Sequence, residues 1–361
     1  MRSRQLTFQF PLVAAVLLAF ATSAWSAPTL TFVPATIQFP GSSSTAARGI
    51  NNNGDIVGSY TCAKSLANPC TGITPGSHGF LLLAGTTNYL RIDVPEAGVT
   101  GSLPRAISEQ GVVAGQYSVA GLIHGFVCAS PCSDPGSYVF PIDVASSLFD
   151  AAESQAPPFS PSSPCTPGRN CPRHTLVVGI SPEGDLVGCY HEDGATMTTM
   201  HGWLLRNGTF TELATSNGNP PAYDPDTMNN GISPTGEIVG FYLTSGVSYI
   251  ADTNGIAETF TFPGNLFTLA LGVNARGDVV GEHGDNQAYS GSMLGMCSMN
   301  CFDTNPVGFI RSKGGDYKSL VVQGASATSI IGINAFRCIV GQYVDGSGAH
   351  GFVYRLNEAS F

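Results

Sequence analysis

Seven histidines are spread along the chain, and two of them sit beside carboxylates in a pattern that acid–base or metal chemistry requires. His191-Glu192-Asp193 and His283-Gly284-Asp285 each place an imidazole two residues from an Asp, close enough for one proton relay or for two ligands to one divalent ion. His191, Asp193, His283 and Asp285 are therefore the candidate catalytic residues. Asp224, Asp226 and Asn229 supply three oxygen donors within six residues and are the candidate calcium ligands, although their spacing departs from a twelve-residue calcium loop. No cofactor is required by anything else in the sequence. Gly346-Ser347-Gly348-Ala349-His350-Gly351 matches a dinucleotide fingerprint in letters only, because a hairpin follows it where a helix is needed. A nucleophile elbow, a phosphate-binding loop and a zinc helix are all missing from the sequence.

The elements that would carry these residues are set by a repeat. Gly49-Ile50-Asn51-Asn52-Asn53-Gly54-Asp55-Ile56-Val57-Gly58-Ser59-Tyr60 returns at Ala106 to Tyr117, Gly179 to Tyr190, Gly231 to Tyr242, Gly272 to His283 and Gly332 to Tyr343. Arg337 stands at the turn glycine of the last copy. The spacing predicts a strand, a tight turn whose Gly takes positive φ, and a second strand; the Asn or Ser at the third position is placed to bond the turn backbone. A His-Gly-aromatic element follows at His78, His124, His201 and His350, with weaker forms at Val307-Gly308-Phe309 and Ser248-Tyr249-Ile250. Those four histidines are expected to repeat one structural hydrogen bond. A fourth element, of the type Tyr89-Leu90-Arg91-Ile92-Asp93, completes a four-stranded unit.

The expected fold is thus all-β: a six-bladed β-propeller of four-stranded antiparallel blades. The sixth copy lacks its fourth strand, and Thr36-Ile37-Gln38-Phe39-Pro40-Gly41 resembles Thr259 to Gly264 closely enough to supply it. A ring closed by its own N-terminal strand follows, which removes exposed sheet edges.

The recurring elements resemble the bacterial extracellular HAF-type repeat family, in which a Gly-Ile-Asn, Gly, Val-Gly pattern precedes a His-Ala-Phe signature. Here Gly mostly takes the place of that Ala. The resemblance covers residues 37 to 354 and implies export and a propeller-like fold; it implies no catalytic residue.

Composition agrees with export. Arg2 and Arg4 precede an apolar run from Phe10 to Phe20 and a small-residue zone near Ala27, so residues 1–27 read as a cleaved signal peptide and 28–361 as one propeller domain. No later run is long and apolar enough for a membrane anchor. Loss of Arg2 and Arg4 takes the formal net charge from −10 to −12, which makes nucleic acid a poor partner. A secreted or periplasmic monomer, facing an extracellular polymer or protein ligand, is expected.

Ten cysteines in such a chain favour disulfides: Cys62 with Cys70, Cys128 with Cys132, Cys165 with Cys171 and Cys297 with Cys301. Cys189 and Cys338 remain, unless Cys189 joins Cys165 or Cys171. Long insertions at 61–77, 145–175, 191–200, 214–228 and 284–306 fall on one face, where function is expected. The sequence favours a non-catalytic binding or scaffold propeller, with Tyr223, Trp203 or Tyr289 as stacking residues and Trp203 alternatively in the core. The alternative is a propeller-type glycan hydrolase or lyase with its site on that elaborated face.

Overall fold

The computed structural model describes residues 27–63, 70, 73, 75–144, 172–192, 200–213, 227–243, 245–285 and 305–357. Within them the chain is all-β, with one short 3-10 turn at Pro135–Ser137 and no α-helix. Two short strands lead, β1 (Thr29–Phe32) and β2 (Ala35–Ile37), and antiparallel meanders follow. The first meander is β3 (Ser44–Ile50), β4 (Ile56–Cys62), β5 (Gly76–Leu82) and β6 (Tyr89–Ile92). Next come β7 (Val99–Ile107), β8 (Val112–Val119), β9 (Leu122–Ala129) and β10 (Tyr138–Ile142), then β11 (Pro172–Ile180), β12 (Leu186–Glu192), β13 (Met200–Arg206) and β14 (Thr209–Glu212). β15 (Thr227–Ile232), β16 (Ile238–Tyr242), β17 (Ser248–Asp252) and β18 (Gly255–Phe260) form the fourth. β19 (Phe267–Val273), β20 (Val279–Gly284), β21 (Val307–Arg311) and β22 (Tyr317–Val322) form the fifth. The last has three sequential strands, β23 (Ala327–Ile333), β24 (Cys338–Asp345) and β25 (Gly348–Arg355).

β2 completes this last meander by pairing antiparallel with β25, Thr36 opposite Phe352. The expected use of the N-terminal segment as a fourth strand is therefore observed. β1 was not anticipated: it pairs in parallel with β22, Thr29 opposite Ser319 and Phe32 opposite Val322.

Each repeat turn is built as its residues dictate. Gly54, Gly111, Gly184, Gly236 and Gly277 all take positive φ, and Arg337 adopts φ +58 in the sixth copy. The third-position side chain accepts from the backbone N–H four residues on in every copy: Asn51 from Asp55, Ser108 from Val112, Ser181 from Asp185, Ser233 from Glu237, Asn274 from Asp278 and Asn334 from Cys338. Where that residue is Asn, its amide also donates to the next meander. Asn274 reaches the Asn334 carbonyl at 3.1 Å, Asn334 the Asn51 carbonyl at 2.9 Å, and Asn51 the Ser108 carbonyl at 3.4 Å.

A buried hydroxyl earlier on the strand that leads into the turn makes a second link between neighbours. Phe39, Val94, Val144, Phe262 and Val322 donate their N–H to Thr45, Ser102, Thr175, Thr268 and Thr328 at 2.6–3.1 Å. The apolar core lies between the meanders, filled by side chains such as Phe80, Phe126, Trp203, Tyr249, Phe309 and Phe352, each almost wholly buried. Cys62–Cys70 and Cys128–Cys132 form disulfides as expected. The other two proposed pairs, and an alternative partner for Cys189, lie outside the described residues. No described helix is long and apolar enough to cross a membrane.

Candidate functional site

The four repeat histidines are structural. His78 bonds Asp93 at 2.9 Å, His124 bonds Asp143 at 2.8 Å, His201 bonds Glu212 at 2.6 Å and His350 bonds Gln38 at 2.8 Å, always from Nδ1. Each ties the third strand of a meander to its fourth, and Gln38 plays that part just after β2. His174 accepts from the Ile123 N–H at 3.2 Å and so joins β11 to β9.

His283 occupies the position that is Tyr in five copies. It is buried, stacked on Phe262 with ring centroids 3.7 Å apart and planes 4° from parallel, as Tyr60 stacks on Phe39 at 3.5 Å and 3°. Its Nε2 lies 3.0 Å from the Ser319 hydroxyl. Asp285 is exposed and accepts from Asn265 Nδ2 at 2.7 Å. His283 and Asp285 thus have separate partners in this structure. The His191 side chain and Asp193 lie outside the described residues.

Of the calcium candidates, Asp224 and Asp226 also lie outside them. Asn229 is wholly buried, donating to the Trp203 carbonyl and accepting from the Tyr249 hydroxyl. Its amide oxygen is held by that hydroxyl at 2.7 Å. Among the described residues no cluster of three or more His, Cys, Asp or Glu is placed to hold a metal. Trp203 is fully buried against Phe210, so its place is the core and not a stacking platform. Tyr223 and Tyr289 fall outside the described residues.

A cavity of about 150 Å³ lies among β3, β7, β11, β15, β19 and β23. A single backbone device aims residues into it. In each of these strands the pairing register slips by one residue against the next strand, between Ala47 and Gly49, Pro104 and Ala106, Val177 and Gly179, Asn229 and Gly231, Ala270 and Gly272, and Ile330 and Gly332. The residue that the strand register skips in each slip is Arg48, Arg105, Val178, Asn230, Leu271 or Ile331, and all six line the cavity. A bulge of this kind re-aims one side chain out of the ladder. Two adjacent meanders contribute guanidiniums, and the others contribute three aliphatic chains and one amide.

The slip also explains a conspicuous repeat glycine on the second strand. A Cβ on Gly58, Gly115, Gly188, Gly240, Gly281 or Gly341 would stand 1.8–2.4 Å from the carbonyl oxygen of the residue two before the bulged one. The bulge pushes that carbonyl over the second strand, and only Gly leaves it room. Glycine is required here by a close approach and not by φ.

One residue after each of these glycines stands a second set of buried side chains: Ser59, Gln116, Cys189, Phe241, Glu282 and Gln342. Arg48 Nε donates to Ser59 Oγ at 3.1 Å and Arg105 Nε to Gln116 Oε1 at 3.4 Å, which fixes both guanidiniums. Glu282 reaches the cavity, as do Ser329 and Met228. Burial, followed by Arg105, holds Arg48 well below the usual guanidinium value, and burial takes Arg105 down to about 10. Guanidiniums remain cationic at neutral pH, so these shifts express the cost of keeping two like charges out of water. Burial pushes the Cys189 thiol up to about 12, and that thiol stays protonated.

At its outer end the cavity reaches the tight turns, where Asn52, Glu109, Pro182, Pro234, Ala275 and Ala335 line it. Asn52 links two neighbours there: its N–H donates to Glu109 at 2.9 Å and its amide oxygen accepts from the Ala335 N–H at 2.9 Å. The described cavity therefore opens at the tight-turn end of the inner strands, and most of the long insertions lie outside the described residues. Arg48, Arg105 and Glu282 were not singled out from sequence. For the two arginines the signal was the residue before the Gly-Ile or Ala-Ile pair, and for Glu282 the residue after the second-strand glycine; both positions vary inside an otherwise repeated pattern.

No family model and no curated protein matches the sequence. Among solved structures, the chain is similar to a luciferin-regenerating enzyme at 10% identity and a TM-score of 0.43, covering 88% of this chain and 93% of that one. It is also similar to a gluconolactonase from Xanthomonas campestris at 10% identity and a TM-score of 0.38, covering 91% of this chain and 97% of that one. Both are enzymes by name, which stands against the expectation of a non-catalytic binding or scaffold propeller. At these scores the likeness transfers neither a substrate nor a site residue to this chain.

Proposed function

We propose that the chain is an exported, monomeric HAF-type repeat protein, a closed six-bladed β-propeller that acts as a hydrolase or lyase on the ends of glycan chains. Its site is the cavity among the inner strands, and not the long insertions. Closure is supported by the pairing of β2 with β25, by the His350–Gln38 bond and by the Asn334 amide on the Asn51 carbonyl. The observation that carries the enzymatic reading is the convergence of a buried carboxyl, Glu282, with two buried guanidiniums and the Ser329 hydroxyl on one cavity.

Breaking a glycosidic bond needs a proton moved to or from the sugar and fixed charge facing the oxygens that become negative. Glu282 is the proton-transferring group in this arrangement, and Arg48 and Arg105 supply fixed positive charge in a water-poor setting. A cavity of about 150 Å³ holds the volume of about five waters. A recess between six converging strands favours entry by a chain end over the middle of a polymer.

The test is to incubate the purified mature chain with a panel of neutral and acidic oligosaccharides and to follow new reducing ends and new carbon–carbon double bonds. Release of single terminal units, lost in Glu282→Gln with the circular dichroism unchanged, is the expected result. No product from any member of the panel, or undiminished activity in Glu282→Gln, would overturn it.

A further inference from the structure

We infer that Arg48 and Arg105 form a subsite for the carboxylate of an acidic sugar, so that the substrate is a uronate-type unit and not a neutral one. This inference rests on the glycan-active reading above and names its substrate class. Both guanidiniums are nine-tenths or more buried, with 3% and 8% of their residue surfaces exposed, yet both line the cavity. They come from equivalent bulges in β3 and β7, two adjacent inner strands, and so approach the cavity side by side. Gly49, one residue past the first bulge, packs so tightly that a Cβ there would lie 3.1 Å from the Arg105 carbonyl.

Among the described side chains within the cavity, two guanidiniums face one carboxylate, Glu282. Glu109 lies apart at the mouth, held by the Asn52 N–H. Arg48 and Arg105 are each held through Nε by neutral partners, Ser59 and Gln116, so the plane of each guanidinium is set before a ligand arrives. A planar guanidinium so fixed matches the two oxygens of a carboxylate.

The remaining walls agree with a sugar ring. Val178, Leu271 and Ile331 face the guanidiniums from the other inner strands, and apolar contact suits the ring's carbon face while the charged end is held opposite. The chain as a whole carries a formal net charge of −10, with only 15 Lys and Arg in total. Two of those few lie in this cavity. An acidic exterior around a buried cationic site predicts affinity that salt changes little, because screening acts on exposed charge and much less on buried charge.

Binding of glucuronate, glucose and inorganic phosphate to the mature chain would be measured by calorimetry at low and high salt, with no turnover required. Glucuronate should bind at least tenfold more tightly than either glucose or phosphate, with less than a threefold change between the two salt conditions. Arg48→Gln and Arg105→Gln should each weaken it tenfold or more. Arg48→Lys, which keeps the charge and loses the fork, should weaken it while leaving the melting temperature near that of the parent. Equal binding of glucose, or equal binding of phosphate, overturns the acidic-sugar assignment, and so does an Arg48→Lys variant that binds unchanged. Glucuronate binding lost in the arginine variants, with no product from any glycan, would uphold the subsite and overturn the enzymatic reading. Turnover of neutral glycans unaffected by Arg48→Gln would do the reverse.

Discussion

The His-Gly-aromatic repeat shows how little a recurring histidine says about catalysis until its partner is known. Each of the four bonds an acid or an amide on the neighbouring strand, and one of them has a pH consequence of definite sign. The hydrogen bond that His124 Nδ1 donates to Asp143 raises His124 above its ordinary value of 6.5, against the opposing effect of burial. A group raised on folding stabilises the folded state fully below its unfolded value, and that contribution fades as pH rises through the folded value. Stability of the parent should therefore decline as pH rises from about 6.5 into the alkaline side of neutrality. In Asp143→Asn that part of the decline should vanish while acid-side stability falls. Urea midpoints taken across this range check it, and parallel profiles for parent and variant would refute the assignment. His283 illustrates the converse, since its neighbour Asp285 suggested chemistry while its repeat position, otherwise Tyr, announced an aromatic slot in the core.

At the level of the strand, the repeat was legible and the bulge was not. Turn glycines, third-position Asn or Ser and Val-Gly pairs recur with fixed spacing, so their local roles follow from residue type. The bulged position holds Arg, Arg, Val, Asn, Leu and Ile, which share no propensity; what unites them is a register slip visible only once two strands are paired. Convergence of six strands, each tens of residues from the next, is likewise a product of packing and not of local sequence. The glycine opposite the slip gives the device a measurable signature. Gly188→Ala would place a Cβ 1.8 Å from the Leu176 carbonyl oxygen, whereas a Cβ on Gly184, at φ +90, would meet nothing within 4 Å. Gly188→Ala should cost about 3 kcal/mol through overpacking, and Gly184→Ala about 1 kcal/mol through backbone strain. Denaturant midpoints should rank them in that order; equal losses would mean that the close carbonyl yields easily.

Over the whole molecule, the N-terminal segment matters beyond its length because it joins two neighbouring meanders. β2 supplies the fourth strand beside β25, and β1 adds an outer strand to β22 in the preceding unit. The first of these could be foreseen from the likeness of Thr36–Gly41 to Thr259–Gly264. The second could not, because Thr29-Leu30-Thr31-Phe32 has no counterpart in the repeat. Both strands are anchored by buried side chains, Phe32 at 4% exposure among Ile310, Leu320 and Phe352, and Ile37 at 3% beside Phe39 and Phe80. Each truncation alone should cost about 2–4 kcal/mol, as for other large apolar side chains removed from a core. Only two residues separate the strands, so release of one frees the other, and the second loss is then already incurred. Phe32→Ala with Ile37→Ala should consequently lose less than the two single changes added together, a coupling that a double-mutant cycle measures directly. Strict additivity would mean that β1 and β2 act as independent clasps, and the N-terminal segment would then be two local repairs and not one closure device.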